Sequence, residues 1–474
     1  MYGTAPLFFS VFLAASAGLQ SPDLEKGRII DKVVCAGDAQ FSYALFLPSG
    51  YSSDKEWPVV ICFDPRAQGR RPVEKLQAAA EIYGYIVAGS LDSKNGPVEP
   101  NQKAAKAVWQ DVRERFSVAA GRVYAAGFSG GAEAAVLFPY FVEIQAAGII
   151  SCGAGLPSGH EPRYVKPAAY YGIIGNWDFR YQDMARLEGP FAESGVTFRI
   201  VYYDGWHQWP SAEALGEAIE WTELMAMKSG LKVKDPGFIE AEYRKRLKTA
   251  ADLETSGRTL SVLHELESLA SDFKNLADVS KVEEKVLALK SSAEIKKLEK
   301  DKQAAEESER SAQARIQYVF TTIEQPVPGQ APFRLKDVLR ALDFDAWTAA
   351  SVQTKEILKS DAAKRVLSQI AILADQHGVR AKGAGDLQFS VTMFELAARA
   401  SAGHPMNPGE FYNLACAYAV SGKGKDALKA LRLAVDKGFD DLGLLESDKD
   451  LDSIRSTPQF RSLMEELRAR KRAP

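Results

Sequence analysis

A serine set among glycines, Gly127-Phe128-Ser129-Gly130-Gly131, is the stretch of this chain whose residue types point most directly to chemistry. It follows the β-rich run Val123-Tyr124-Ala125-Ala126 and precedes a helical stretch that begins near Gly131. A sharp strand-to-helix turn of this kind, a nucleophile elbow, lifts a serine hydroxyl above the edge of a sheet. The glycines are needed because side chains there would collide with the crowded turn. The helix N-terminus behind the serine favours the negative charge that develops in acyl transfer.

A serine hydroxyl is too weak an acid to attack an ester without a base. Two histidines lie in the same half of the chain, His160 and His207. His207 follows the last β-rich run in the loop Asp204-Gly205-Trp206-His207-Gln208-Trp209-Pro210, whereas His160 sits in a loop containing Gly and Pro and reads as a surface residue. The acid belongs after the preceding strand, where Gly175-Asn176-Trp177-Asp178-Phe179 stands. Asp178 is therefore expected to orient His207. Asp204, too near the base along the chain to reach across a site, is the fallback and reads as a turn residue. An oxyanion hole needs two backbone donors. One is expected from Gly130 and the other from Arg66, in the loop Asp64-Pro65-Arg66-Ala67-Gln68-Gly69, because Pro65 has no N–H. Trp177, Trp206 and Trp209 flank the acid and the base, and either line an apolar acyl or aromatic pocket or simply pack.

The elements that must position these residues alternate over about residues 30–228. Strand-like runs fall at 42–47, 58–63, 85–89, 123–126, 147–151, 168–174 and 197–203, with helical stretches near 73–83, 101–116, 131–137, 181–194 and 211–227. Several of the runs are apolar without alternation, as strands buried on both faces are, so the expected class is α/β with a mostly parallel sheet. Residues 228–237 read as a linker, and beyond them the chain is nearly all helical. Residues 281–315, rich in Lys, Glu, Ala and Ser, predict a solvated amphipathic helix. Val282, Val286 and Leu289 keep helical spacing, while Ile295 and Leu298 fall outside a strict heptad. Pro326, Pro328 and Pro332 divide the helical region. Phe411-Tyr412-Asn413-Leu414-Ala415-Cys416-Ala417-Tyr418, then Ala427, Leu431 and Ala434, place large and small residues at the spacing of a helix-pair repeat, with Ser390, Phe394 and Ala397 as a degraded preceding copy. The expected division is a signal peptide at 1–20, a catalytic domain at 30–228, a helical connector at 229–325 and an all-α domain at 333–474.

Composition narrows the class. With 474 residues, 46% hydrophobic and 26% charged, a formal charge of -3 and a pI near 6.1, the chain has the balance of a globular protein and no electrostatic case for nucleic acid. An apolar run at 6–17 ends in Ala15-x-Ala17, which predicts a cleaved secretory signal and a secreted or periplasmic product, although no Lys or Arg precedes the run. No later segment approaches the ~20 apolar residues of a membrane span. Cys35, Cys62, Cys152 and Cys416 read as small buried residues, and no pair has zinc-ligand spacing. A Cys35–Cys62 bridge stays open.

Together, Tyr43-Ala-Leu-Phe-Leu-Pro48, Pro58-Val-Val-Ile61, Gly127-Phe-Ser-Gly-Gly-Ala132, Gly175-Asn-Trp-Asp-Phe179 and Gly205-Trp-His-Gln-Trp-Pro210 resemble the α/β-hydrolase superfamily and, within it, exported bacterial esterases of the polyhydroxybutyrate depolymerase and dienelactone hydrolase kind. The resemblance spans about residues 30–228. It implies carboxylic-ester hydrolysis through an acyl-serine, without metal or cofactor. Two departures stand out: Asp64-Pro65 replaces the His-Gly of many esterases, and Gly130-Gly131 replaces the Ala-Gly common in polyester depolymerases, so a polymer substrate is not implied. The C-terminal part resembles tetratricopeptide proteins, which implies a protein partner at 385–440 or a packing role. Two alternatives accompany the esterase reading: a peptidase using the same triad, and an inert scaffold that binds a partner through the helical part.

Overall fold

Continuous apolar runs such as Trp57-Pro-Val-Val-Ile-Cys-Phe63 form strands buried at every position, because helices cover both faces of the sheet they enter. The computed structural model describes residues 24–165, 169–324, 334–353, 355–403 and 408–472. The apolar run at 6–17 and the prolines at 326–332 lie outside these residues. Eight strands, β1 (Ile29–Val34), β2 (Ser42–Phe46), β3 (Trp57–Phe63), β4 (Ile86–Ser90), β5 (Val118–Phe128), β6 (Gly148–Cys152), β7 (Ala169–Gly175) and β8 (Phe198–Tyr203), make one sheet in the order β1-β2-β4-β3-β5-β6-β7-β8. Pairings are antiparallel at β1/β2 and β2/β4 and parallel from β4 to β8. Two features of the sheet differ from expectation. β1, absent from the expected strands, reads Ile-Ile-Asp-Lys-Val-Val, and its outer position lets Asp31 and Lys32 face water and interrupt the apolar run. β5 starts earlier than expected because Val118 pairs with Trp57.

Helices α1 (Arg70–Tyr83), α2 (Val98–Arg115), α3 (Gly130–Val142), α4 (Tyr181–Ala185), α5 (Glu188–Ser194) and α6 (Ala212–Ser229) flank the sheet. The single helix expected at 181–194 is two, broken at Arg186 and Leu187. One face of the sheet packs Phe46, Val60, Cys62 and Ile173 against Leu215 and Ile219 of α6; the other packs Leu45, Ile61 and Phe63 against Val108 of α2 and Phe138 of α3. Each such buried side chain contributes roughly 1.5–3 kcal/mol. Cys35 lies in the second core and Cys62 in the first, so the sheet separates them, and both thiols are free.

The first core does not stop at residue 229. It runs on into α7 (Pro236–Thr255), α8 (Thr259–Phe273) and α9 (Ser280–Ser291) through Ile239, Leu266, Phe273 and Val282. The linker shrinks to residues 230–235, which is why the next helices lie against the sheet rather than away from it. Then come α10 (Ala293–Glu324), α11 (Leu335–Ala341), α12 (Phe344–Ser351), α13 (Ile357–Gly383), α14 (Leu387–Ala400), α15 (Gly409–Val420) and α16 (Gly424–Asp436), with short helical turns and a closing helix at Pro458–Arg472. The helix expected at 281–315 is two, α9 and α10, and it is not simply solvated: Ile295, Ile316 and Phe320 are buried, and so is Glu309. In α15 and α16 the repeat-spaced Phe411, Ala415, Ala427, Leu431 and Ala434 face one core, which Phe394 of α14 joins. Among the described residues no helix is long and apolar enough to cross a membrane.

Candidate active site

Ser129 sits between the end of β5 and the first residue of α3, with φ 53° and ψ −124°. A non-glycine residue holds such a backbone only where its surroundings over-determine it. Glycines do that here. A Cβ on Gly127 would overlap the carbonyl of Gly131, and a Cβ on Gly131 would overlap that of Phe63. The Ser129 N–H donates to Cys152 O at the end of β6, 2.8 Å away, which fixes the turn against the neighbouring strand. Ser129 is half-buried.

His207, in the loop after β8, meets that hydroxyl: Nε2 lies 2.9 Å from Ser129 Oγ. Its other nitrogen, Nδ1, lies 2.8 and 3.0 Å from the two carboxylate oxygens of Asp178, in the loop after β7. A carboxylate only accepts, so Nδ1 carries the proton and Nε2 is left to take one from the serine. The imidazole is held between two rings, Phe128 at 4.7 Å and Phe179 at 4.6 Å between centroids. Both rings went unremarked in the sequence, although each adjoins a residue singled out for chemistry. Tyr203 donates weakly to Trp206 O and Gln208 O at 3.4 Å, and burial, reinforced by the Asp178 charge, pushes its phenol up, so it remains the neutral donor that ties down the base loop.

Ser129, His207 and Asp178 thus meet from three loops at one edge of a largely parallel sheet. The fold class is α/β, a mostly parallel eight-stranded sheet followed by a helix-rich region. No family model matches the sequence. Among solved structures the chain is similar to a ferulic acid esterase, at 14% identity over 42% of this chain and 98% of that one, with a TM-score of 0.34. It is also similar to a substrate-bound fluorophosphonate-binding serine hydrolase of Staphylococcus aureus, at 15% identity over 42% and 99% of the two chains and a TM-score of 0.34. An esterase of Pyrobaculum calidifontis matches at 15% identity over 45% and 88%, with a TM-score of 0.33.

Asp204 and His160 lie outside the cluster, as read from the sequence, whereas the Arg66 expectation is corrected. Asp204 does not reach His207: it accepts from Asn176 Nδ2 at 2.8 Å and pairs with Arg258 at 2.5 Å, so the fallback acid is a structural anchor. His160 stays in its own loop, with Nδ1 3.2 Å from Ser158 O. The Arg66 N–H, expected in the oxyanion hole, instead donates to Asp64 Oδ1 at 2.8 Å. Buried Asp64 organises that whole turn, also accepting from the Trp209 indole at 2.7 Å. This is the consequence of having Asp-Pro where many esterases have His-Gly: a buried carboxylate must be satisfied, and the nearest amide satisfies it. Gly130, the first residue of α3, keeps an N–H with no carbonyl of its own helix behind it. The polar side chain abutting Gly130 is that of Asn95, on the loop after β4, whose amide oxygen stands where a Gly130 Cβ would be.

The tryptophans pack. Trp209 lies against Phe128 at 5.6 Å with its N–H on Asp64. Trp177 and Trp206 meet edge to face at 5.5 Å, joining the acid loop to the base loop, and the Trp177 indole donates to Asp361 Oδ1 of α13 at 2.7 Å. A cavity of about 870 Å³ does touch Trp177, but it lies behind the acid loop, among Tyr202, His264, Lys302 and Arg365, and neither Ser129 nor His207 lines it. Among the described residues the side chains close enough to share a metal are Cys416, Asp448 and Asp450 in the C-terminal helices, where Tyr412 donates to Asp448 and Lys382 pairs with Asp450.

Proposed function

We propose that the chain is a serine hydrolase that cleaves carboxylic esters through an acyl-serine intermediate, with Ser129 as nucleophile, His207 as base and Asp178 as the group that orients it. The observation that carries this reading is the unbroken relay from Asp178 through His207 to Ser129 Oγ, with contacts of 2.8 and 2.9 Å. His207 Nε2 takes the hydroxyl proton as Ser129 Oγ attacks the ester carbonyl. Negative charge then collects on the carbonyl oxygen, for which the Gly130 N–H at the start of α3 is the backbone donor in this reading. Collapse expels the alcohol, which leaves with the proton from His207. Water, deprotonated by the same imidazole, attacks the acyl-serine and releases the carboxylic acid. Nothing in this sequence calls for a metal or cofactor.

The test is Ser129→Ala assayed on short p-nitrophenyl esters, together with fluorophosphonate labelling of the wild-type protein. Turnover should fall by about 10⁵-fold or more with the fold intact. Equal turnover in the variant refutes the proposal, and a peptide substrate cleaved in preference to the esters would recast the protein as a peptidase. Export directed by residues 1–20 belongs to the same proposal and is tested by sequencing the N-terminus of the mature protein.

A further inference from the structure

We propose that Arg365, on α13 of the helical half, is a positioning residue for the acid of the site, so that the helical half belongs to the catalytic unit. This rests on reading Ser129, His207 and Asp178 as the triad.

Arg365 is 6% exposed and its partner Glu309, on α10, is fully buried. Nε and Nη2 of Arg365 lie 2.8–3.1 Å from the Glu309 carboxylate. The remaining arm, Nη1, donates to the backbone carbonyl of Asn176 at 2.9 Å, two residues before Asp178. Glu309 in turn accepts from Gln182 Nε2 at 3.1 Å, four residues after Asp178. One ion pair from the helical half thus holds the chain on both sides of the acid. The same face of α13 adds Asp361, which takes the Trp177 indole N–H, and Lys364, whose ammonium lies 4.2 Å from the centre of the Trp177 ring. The Arg365 guanidinium also lies 4.4 Å from the centre of the Tyr181 ring. Positions 361, 364 and 365 share a face by helical spacing.

A buried ion pair is a poor means of stabilising a fold, since apolar replacement is often neutral or better. It does, however, direct donors and acceptors, and the direction here is specific: both hydrogen bonds that leave the pair land on the segment 176–182. The Asp178 backbone is otherwise held by its own turn, Asp178 N–H to Gly175 O at 3.1 Å, with Arg180 N–H on its carboxylate at 2.8 Å. Those contacts keep the shape of the turn; the Asn176 and Trp177 N–H groups tie it to Tyr203 O at 2.7 Å and Gly205 O at 3.0 Å beside the base loop, and the pair braces the same segment from its other side.

The experiment replaces the pair together, Glu309→Leu with Arg365→Met, in the full chain, so that no lone charge is left buried. Readouts are thermal unfolding, kcat and KM on a p-nitrophenyl ester, and the far-downfield proton resonance of the His207–Asp178 hydrogen bond. We expect cooperative unfolding, a fall in kcat of about 10- to 100-fold with KM within about twofold, and a broadened or lost resonance. A folded double variant with wild-type kcat and an unchanged resonance overturns the proposal. Should the double variant not fold, Asp361→Ala removes the Trp177 bond and the ion pair with Lys364 while leaving Arg365 and Glu309 in place: a lower kcat with a perturbed resonance supports the role, and wild-type values of both overturn it. If the wild-type protein neither hydrolyses esters nor labels with fluorophosphonate, the esterase reading fails by itself, and the resonance, which needs no turnover, still decides the positioning role.

Discussion

The turn carrying Ser129 and the loop carrying Asp178 stand near each other at one edge of the sheet, yet chain of very different reach holds them. The serine turn is shaped by Gly127 and Gly131 within its own few residues, with the β3 and β6 strand ends closing around it. The acid loop is gripped by side chains 184 and 189 residues further on, both on α13, outside the sheet domain. A nucleophile held by steric exclusion tolerates no change in shape. An acid held by directed hydrogen bonds tolerates substitution but loses aim.

That contrast can be broken most severely at Gly131→Ala, whose Cβ would strike the Phe63 carbonyl. A rigid strand end cannot yield, so a loss of about 3 kcal/mol in urea unfolding is expected, with hydrolysis lost in parallel. Unchanged stability there would mean that the turn is not sterically determined. Asp178→Asn separates aim from shape: kcat should fall by about 10⁴-fold because the imidazole loses its orienting carboxylate, while melting barely moves since α13 still holds the loop. A collapse in melting temperature would place the acid among the structural groups instead. Asn95→Ala sharpens the nucleophile side: its side chain packs against Gly130, so its removal should loosen the turn and lower kcat by about tenfold at near-constant KM. A change confined to KM would assign it to substrate binding.

The smallest effect concerns the seam between β8 and the helices covering it. There Arg199 of β8 and Arg246 of α7 share Glu265 and Asp272 of α8. Burial pushes the Asp272 carboxyl up to about 6, although Arg199 beside it pulls the other way. Between roughly pH 4 and 6 the folded chain therefore binds this proton more tightly than the unfolded chain, so this group favours folding at low pH and loses that contribution as pH rises through about 6. In Asp272→Asn the melting temperature should lose that downward slope relative to wild type. Parallel pH profiles for the two proteins would show that Asp272 titrates alike in both states.

What could be read ahead of the structure follows a physical division. Strands such as 58–63 announce themselves because burial on both faces demands an unbroken apolar run, and the elbow announces itself because only glycine fits where backbone meets backbone. β1 was hidden since an outer strand is half wet and its Asp31-Lys32 looks like a loop. The Arg66 N–H is not free for an oxyanion because Asp64 takes it, which the sequence, showing only which residue has an N–H, does not reveal. The tryptophans were open to two readings for a related reason: their place beside the acid and base is linear information, and their packing is not.

The residue types, their order along the chain and the Gly-x-Ser-Gly-Gly pattern of the serine turn were settled by the sequence, because they are legible within a few residues, even though Gly131 is needed for its approach to Phe63 of β3. Tertiary structure alone decided that His207 meets Asp178 rather than Asp204, and that Glu309, deep in a stretch of charged helix, is buried against Arg365 behind the acid loop. A charge carries no local mark of whether water or a partner from the far half of the chain will surround it; only packing supplies that.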